Sequence, residues 1–106
     1  MDTRIRERLL RAFLCEVILR LLRHHHETGY QINEDISRKF GLRLGPNLIY
    51  TKLSSMERDN LVLCSQHGRT RIYTLAEKGK KTLQEMPEMI EEIRRSTLAL
   101  LGNGQP

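Results

Sequence analysis

Apolar residues at the start of the chain recur with the spacing of an amphipathic helix. Two rows with a period of four run through this segment: Ile5, Leu9, Phe13, Val17 and Leu21, and beside them Leu10, Leu14, Ile18 and Leu22. The pattern predicts one helix over residues 4–23. Its apolar face is wider than one neighbour in a small domain covers. We therefore expect this helix to pack in the core and also against a second subunit.

Two shorter helical patterns follow. The first begins after Thr28, a residue type that caps helices, and ends at Gly41. Its inward positions are Tyr30 or Ile32, then Ile36 and Phe40. After a link over residues 42–45, the second starts at Pro46, which the first turn of a helix tolerates, and ends at Asn60. Its inward positions are Ile49, Leu53 and Met56.

The hydrophobic period then changes from helical to alternating. Residues 61–65 form a short apolar run, residues 66–68 are typical of a turn, and residues 70–75 alternate. This succession predicts a β-hairpin. Residues 77–101 have helical spacing again, and Pro87 inside them predicts a kink or a restart of the helix.

The order of these elements predicts a mainly α fold with a small β-hairpin. Helix, helix, helix, hairpin and helix (α-α-α-β-β-α) in one domain of residues 1–106 is the winged helix-turn-helix arrangement. Residues 28–60 would be the helix-turn-helix and residues 61–75 the wing. The third helix would then enter a major groove of DNA while the wing contacts the flanking backbone.

The last helix carries a second apolar stripe. Its members are spaced alternately three and four residues apart: Leu83, Met86, Ile90, Ile93, Thr97 and Leu100. Such spacing is typical of helices that pair with another helix. We expect residues 77–101 to form a dimerisation helix. Packing of the same stripe against the chain's own first helix is the alternative, and both contacts can exist together.

Charge points to a polyanionic partner. The net charge is +5, and residues 1–81 hold 16 basic against 9 acidic side chains, whereas residues 82–106 hold 2 against 4. A basic body favours double-stranded DNA as the partner. A surface that is basic only for solubility is the alternative.

The two cysteines and the N-terminus indicate location. Cys15 and Cys64 are far apart in sequence and flanked by apolar residues, so they do not resemble a zinc pair. We expect two buried thiols in a reducing cytoplasm. The N-terminal residues are charged throughout, and no apolar run approaches the roughly 20 residues of a membrane span. We therefore expect no signal peptide and no contact with a membrane.

Catalytic and cofactor motifs are missing from the sequence. It contains no nucleophile motif and no glycine-rich phosphate loop, so we expect neither an enzyme nor a cofactor. His24, His25 and His26 are the one candidate for metal binding. Consecutive helical residues point about 100° apart and cannot all converge on one ion. We interpret the three histidines as a polar helix end and expect no metal site.

Four stretches resemble the PadR family of winged-helix transcriptional regulators, over roughly residues 12–101. They are VILRLLR (17–23), TGYQI (28–32), LGPNLIYTKLSSMERDNLV (44–62) and RTRIYTLAEKGKKTL (69–83). Three positions differ from what the family commonly has. Thr28 replaces a histidine, residues 45–48 replace Ser-Pro-Gly-Thr, and Ser54-Ser55 replaces Lys-Arg. The resemblance implies the fold and a regulatory function, but no particular DNA target.

The candidate DNA contacts lie on the third helix and the wing. With its apolar stripe inward, an outward row remains on the helix: Asn47, Thr51, Ser54 and Arg58, with Tyr50 and Lys52 beside it. Leu48 covers either a thymine methyl group or Leu44, and Tyr50 either bonds a phosphate or packs on the second helix. On the wing, Arg69 and Arg71 are expected to contact phosphates, with a solvated basic face as the alternative.

Three functions compete on this evidence. The first is a homodimeric, sequence-specific DNA-binding regulator that represses transcription by covering its site, with no effector molecule indicated. The second is a winged-helix module for protein–protein interaction without sequence-specific DNA binding, because this fold alone does not fix a function. The third is a metal-sensing regulator that uses His24–His26. Basic residues on the wing favour the first, since an interaction module would expose apolar residues there.

Overall fold

The computed structural model describes residues 2–102, which form five helices and a small sheet. The elements are α1 (Thr3–Ala12), α2 (Leu14–Leu21), β1 (Glu27–Thr28), α3 (Gly29–Phe40), α4 (Pro46–Arg58), β2 (Val62–His67), β3 (Thr70–Leu75) and α5 (Glu77–Leu100). The three strands are antiparallel in the order β1-β3-β2. The predicted fold, mainly α with a hairpin between the third helix of the pattern and the last, is confirmed.

The prediction of one helix over residues 4–23 is wrong at Phe13 and at its end, since α2 ends at Leu21. Phe13, with φ of −104° and ψ of 15°, leaves helical geometry and separates α1 from α2. The two segments have different neighbours. α1 buries only Leu10 and is tied to the end of α3 by a bond from Arg6 Nη2 to the Phe40 carbonyl (2.7 Å), whereas α2 is held by core packing. The break at Phe13 lets each helix take the direction that its own neighbours require.

Only one of the two predicted apolar rows faces the core. The buried row is Leu10, Leu14, Ile18 and Leu22, with Leu19 beside it. Ile5, Leu9 and Phe13 of the other row are exposed. This second row forms a surface strip that runs from Ile5 to Leu21 and is exposed as far as Phe13, whereas Val17 and Leu21 are half-buried against the core.

Capping residues set the ends of the two helices of the helix-turn-helix. Thr28 caps α3 in a reciprocal pair with Gln31, and Gly41 ends α3 with a φ of 66°. Ile32 rather than Tyr30 is the inward residue, since Tyr30 is exposed. Pro46 begins α4. Asn60 takes a φ of 62° just after α4 ends, as asparagine tolerates.

The hairpin turn lies one to two residues later than the sequence pattern predicts. Strand β2 continues to His67, which pairs with Thr70, so Gly68 and Arg69 form a two-residue loop. Gly68 has a φ of 64°, the positive value that such tight loops require, and this fixes the register. Strand β1, which no pattern predicts, pairs Glu27 with Tyr73 and joins the sheet to the start of α3.

Helix α5 is continuous through Pro87 and does not restart there. Its first turns pack against α2 and β3, where Leu83 and Met86 are buried in the subunit's own core. Gly79 is required at this contact, because a Cβ there would overlap the Leu61 carbonyl oxygen. Beyond Met86 the helix projects outwards, and the molecule measures 59 × 30 × 21 Å. None of the helices described here is both long and apolar enough to cross a bilayer.

Candidate nucleic-acid interface

Helix α4 buries one face completely and exposes the other. The inward side chains have almost no exposed surface: Ile49 and Leu53 at 0% and Met56 at 1%. This packing fixes the rotation of the helix about its axis. Asn47, Tyr50 and Thr51 consequently lie on the exposed side. An exposed polar face on a rigidly packed helix is what contact with base edges requires.

The remaining candidates on α4 are less exposed. Lys52 and Ser54 are half-buried, whereas Arg58 at the end of the helix is exposed. Leu48 packs against the core and is half-buried, which agrees with the packing alternative for this residue.

The N-terminus of α4 is open to an anion. Gly45 is its cap residue and supplies no side-chain acceptor, and Pro46 has no N–H group. The positive end of the helix dipole is therefore not neutralised by a cap, next to the exposed Asn47.

The two wing arginines have different surroundings. Arg69 lies in the exposed two-residue loop. Arg71 points to the face of the hairpin that meets α4. Its Nη2 lies 3.4 Å from Glu57 Oε1, its Nε donates to Cys64 Sγ (3.2 Å), and its guanidinium lies 5.9 Å from the centre of the Tyr73 ring. Glu57 would therefore compete with a phosphate for this guanidinium.

Several basic side chains near the wing have no acidic partner. Within residues 2–102, Arg58, Arg69 and Lys81 form no ion pair. Lys80 pairs with Glu77, and Lys78 donates to the Asp59 carbonyl.

The predicted dimerisation stripe divides into two parts. Leu83 and Met86 are buried within the subunit, whereas the other four members are exposed: Ile90, Ile93, Thr97 and Leu100. An open groove of about 1220 Å³ lies beside this exposed part, between α2, α3 and α5. Its apolar lining includes Phe13, Val17 and Leu21 of the surface strip.

Glu27 is a buried carboxyl beside the same groove. Its side chain bonds His25 Nε2 at 2.8 Å and lies against Asp35. Burial, together with Asp35, raises the pKa of Glu27 to about 7. Within the described part of the chain, Glu27 Oε2 is buried without a hydrogen-bond partner, and burial is the larger cause of this shift. Although burial acts to raise it, the neighbouring Glu27 and the ion pair with Arg38 hold the pKa of Asp35 below its ordinary value.

The histidine run does not assemble into a metal site. His24, His25 and His26 are exposed, and His25 is engaged by Glu27. Between residues 2 and 102 no group of three or more His, Cys, Asp or Glu side chains is arranged to hold a metal ion.

Three features of the site lie beyond the sequence patterns. The pair of Arg71 and Glu57 joins residues 14 apart on different elements. The burial of Glu27 depends on β1, which is two residues long. Both cysteines are free and half-buried, not fully buried, and Cys64 is covered by Arg71. A charged residue next to a β-branched one, as in Glu27-Thr28, is too common in sequences to have indicated strand β1 or the burial of Glu27.

Solved structures share this fold. A transcriptional regulator from Clostridium thermocellum superposes with a TM-score of 0.74 at 18% identity, covering 92% of this chain and 94% of that one. A PadR family regulator from Clostridium difficile R20291 gives 0.72 at 20% identity, covering 84% and 98%. Bacillus subtilis PadR, solved in complex with operator DNA, gives 0.61 at 25% identity, covering 69% of this chain and 44% of that one.

The family model of the transcriptional regulator PadR-like family matches residues 18–85, from α2 to the first turns of α5. No curated protein matches the sequence. Because the matched region holds the helix-turn-helix and the whole wing, the chain belongs to the PadR-like family of transcriptional regulators.

Proposed function

We propose that this chain is a homodimeric, sequence-specific DNA-binding protein that represses transcription by occupying its operator. The exposed polar face of α4 carries the proposal. Asn47 and Thr51 project from a helix whose rotation about its own axis is fixed by the burial of its opposite face. Bacillus subtilis PadR, which has a related fold, was solved in complex with operator DNA, and this supports operator binding by this chain.

The two surfaces have separate tasks in this proposal. Asn47, Thr51 and Ser54 contact base edges in the major groove, where short polar side chains distinguish base pairs. Tyr50, Lys52, Arg69 and Arg71 contact phosphates, which set the register and supply salt-dependent affinity.

A second copy of the chain is the proposed occupant of the groove. Ile90 and Ile93 are 45% and 52% exposed in the single subunit, and the surface strip of Ile5, Leu9 and Phe13 is also uncovered. Apolar surface of this extent is unusual on a monomer and typical of a subunit interface. A twofold-symmetric dimer would carry two copies of α4, which matches the two half-sites of a palindromic operator.

Selection of bound sites from a random pool of duplex DNA tests the proposal. We expect enrichment of two inverted half-sites about 10 base pairs apart, centre to centre. A reconstituted transcription reaction with the selected site placed over a promoter should then lose product as protein is added. A pool without enrichment would contradict sequence-specific binding.

One observation favours the protein-interaction alternative. Leu63 on β2 is 59% exposed on the wing, where an interaction module would present apolar residues. Measuring duplex DNA binding by the wild type and by Leu63→Ser separates the two functions. DNA affinity should be unchanged in the proposed regulator, because Leu63 is not among its DNA contacts. A wild-type protein that binds no duplex would leave the interaction module as the better account.

A further inference from the structure

Gly29 occupies a position where glycine is not needed by the backbone. It is the first residue of α3, and its φ does not lie in the positive range where glycine is favoured. The bonds between Thr28 and Gln31 already fix the chain on both sides of it. Alanine would be the better helix former here. The reason for glycine must lie in what approaches it.

The side chain of Tyr50 fills the space that a Cβ would need. A Cβ on Gly29 would lie 2.5 Å from Tyr50 Cε1, 2.9 Å from Cζ and 3.1 Å from Oη. All three atoms belong to the hydroxyl end of one ring. The ring therefore rests directly on the backbone of α3, and any side chain at position 29 must displace it.

Tyr50 joins this contact to the candidate DNA surface. It is 45% exposed on the outer side of α4, one turn after Asn47 and next to Thr51. Only two torsions place a tyrosine hydroxyl relative to its helix, and contact with a second helix restricts both. The contact with Gly29 thus favours one position of the hydroxyl before any partner arrives.

We propose that Gly29 is a positioning residue for DNA binding, which holds the Tyr50 hydroxyl where it bonds a backbone phosphate. The inference rests on the proposed function. It assigns Gly29 a role that acts through Tyr50 and not through the stability of α3.

A double-mutant cycle separates those two roles. The proteins are the wild type, Gly29→Ala, Tyr50→Ala and the combination, with Tyr50→Phe as the variant that removes only the hydroxyl. Binding to the selected operator is measured by fluorescence anisotropy at several salt concentrations, and each protein is also melted.

Gly29→Ala should weaken operator binding about tenfold, since one phosphate bond is lost in each subunit. Tyr50→Phe should weaken it to a similar extent, and both variants should keep the wild-type salt dependence, because a neutral hydroxyl on a phosphate releases no counterion. In the Tyr50→Ala background the change at position 29 should cost no further affinity. The melting temperature should fall when Gly29→Ala is made in the wild type. It should rise when the same change is made in the Tyr50→Ala variant, where the methyl group has room and alanine improves the helix.

Several results would overturn the inference. Additive losses in the cycle would show that Gly29 acts independently of Tyr50. Unchanged binding by Gly29→Ala would show that the ring position is immaterial. If Gly29→Ala does not fold, the combination, which has room for the methyl group, decides the question. A combination that does not fold, or that binds less tightly than Tyr50→Ala, would overturn the inference. A wild type that binds no duplex would overturn the proposed function, and the inference with it.

Discussion

Helix α4 and the wing are neighbours in the fold, but their surfaces are held in different ways. The inner face of α4 is sealed in the core, so its outer residues are placed by packing and make few bonds of their own. The wing has little core, and Arg71 is instead held by Glu57, Cys64 and Tyr73. A surface fixed by packing suits contact with bases, whereas side chains held by weak polar bonds can change partners when a phosphate approaches.

The largest expected effect comes from separating the two subunits of the proposed dimer, each of which carries one α4 and one wing. Ile90→Asp with Ile93→Asp places charges in the proposed subunit interface. Both residues are exposed in the single subunit, so the variant should fold as a monomer in sedimentation analysis. Operator affinity should fall by at least about 100-fold, because the second half-site no longer binds as part of the same molecule.

The matched control is Arg95→Glu, which lowers the charge by the same amount on the exposed part of α5 but outside the apolar stripe. It should remain a dimer. A wild type that is a stable monomer at micromolar concentration would contradict the interface.

The next effect tests whether Arg71 changes partners. If Glu57 competes with a phosphate for this guanidinium, Glu57→Gln should tighten DNA binding about threefold. Arg71→Ala should weaken all sequences and flatten the slope of log K against log salt by roughly 2, at about 0.9 for each contact in a dimer. Glu91→Gln, which releases Arg94 on α5, serves as the control.

The opposite outcome would give the wing a structural role. If Glu57→Gln weakens binding as much as Arg71→Ala and the double variant is no worse, the pair stays closed in the complex. Arg71 would then position the hairpin against α4 without contacting DNA.

A smaller effect concerns the pH dependence of stability that arises from Glu27 on the edge strand β1. The pKa of Glu27 is raised to about 7, so the folded protein keeps a proton that the unfolded chain loses near pH 4.3. Stability should therefore fall as the pH rises from about 5 to about 8, by about 2–3 kcal/mol. Asp35, whose pKa is lowered, contributes only at lower pH. Urea unfolding across this range measures the dependence.

Glu27→Gln should remove most of this slope, because an amide of nearly the same shape cannot ionise. Glu34→Gln, which breaks a surface pair with Arg43, should leave it in place. Equal slopes in the wild type and Glu27→Gln would show that the carboxyl is not protonated in the folded state.

Local periodicity was sufficient for most of the fold. The inward stripe of α4 and the caps Thr28 and Gly41 follow from neighbouring residues alone, and all are found as predicted. The two apolar rows of residues 5–22 could not be ranked in this way. Both have the same spacing, and only the position of α3, α4 and α5 decides which row is covered.

Contacts between distant segments account for what the patterns missed. The ring of Tyr50 on Gly29 and the bond of Arg71 to Glu57 depend on the angle between elements, which no periodicity encodes. The Gly-Tyr pair at residues 29–30 was visible as a motif, but its use as space for another side chain was not.

In the proposed function, α4 selects the sequence while the wing supplies affinity without selection. Asn47→Ala and Arg69→Ala test it together, with Arg4→Ala on α1 as the charge-matched control. Binding of each protein is measured on the selected operator and on a scrambled duplex over a series of salt concentrations.

Asn47→Ala should lose about 1–3 kcal/mol per half-site on the operator only and keep the wild-type salt slope. Arg69→Ala should weaken both duplexes alike and flatten the slope by roughly 2. The division of tasks between α4 and the wing is contradicted if Arg69→Ala changes sequence preference at constant slope, or if Asn47→Ala weakens both duplexes equally.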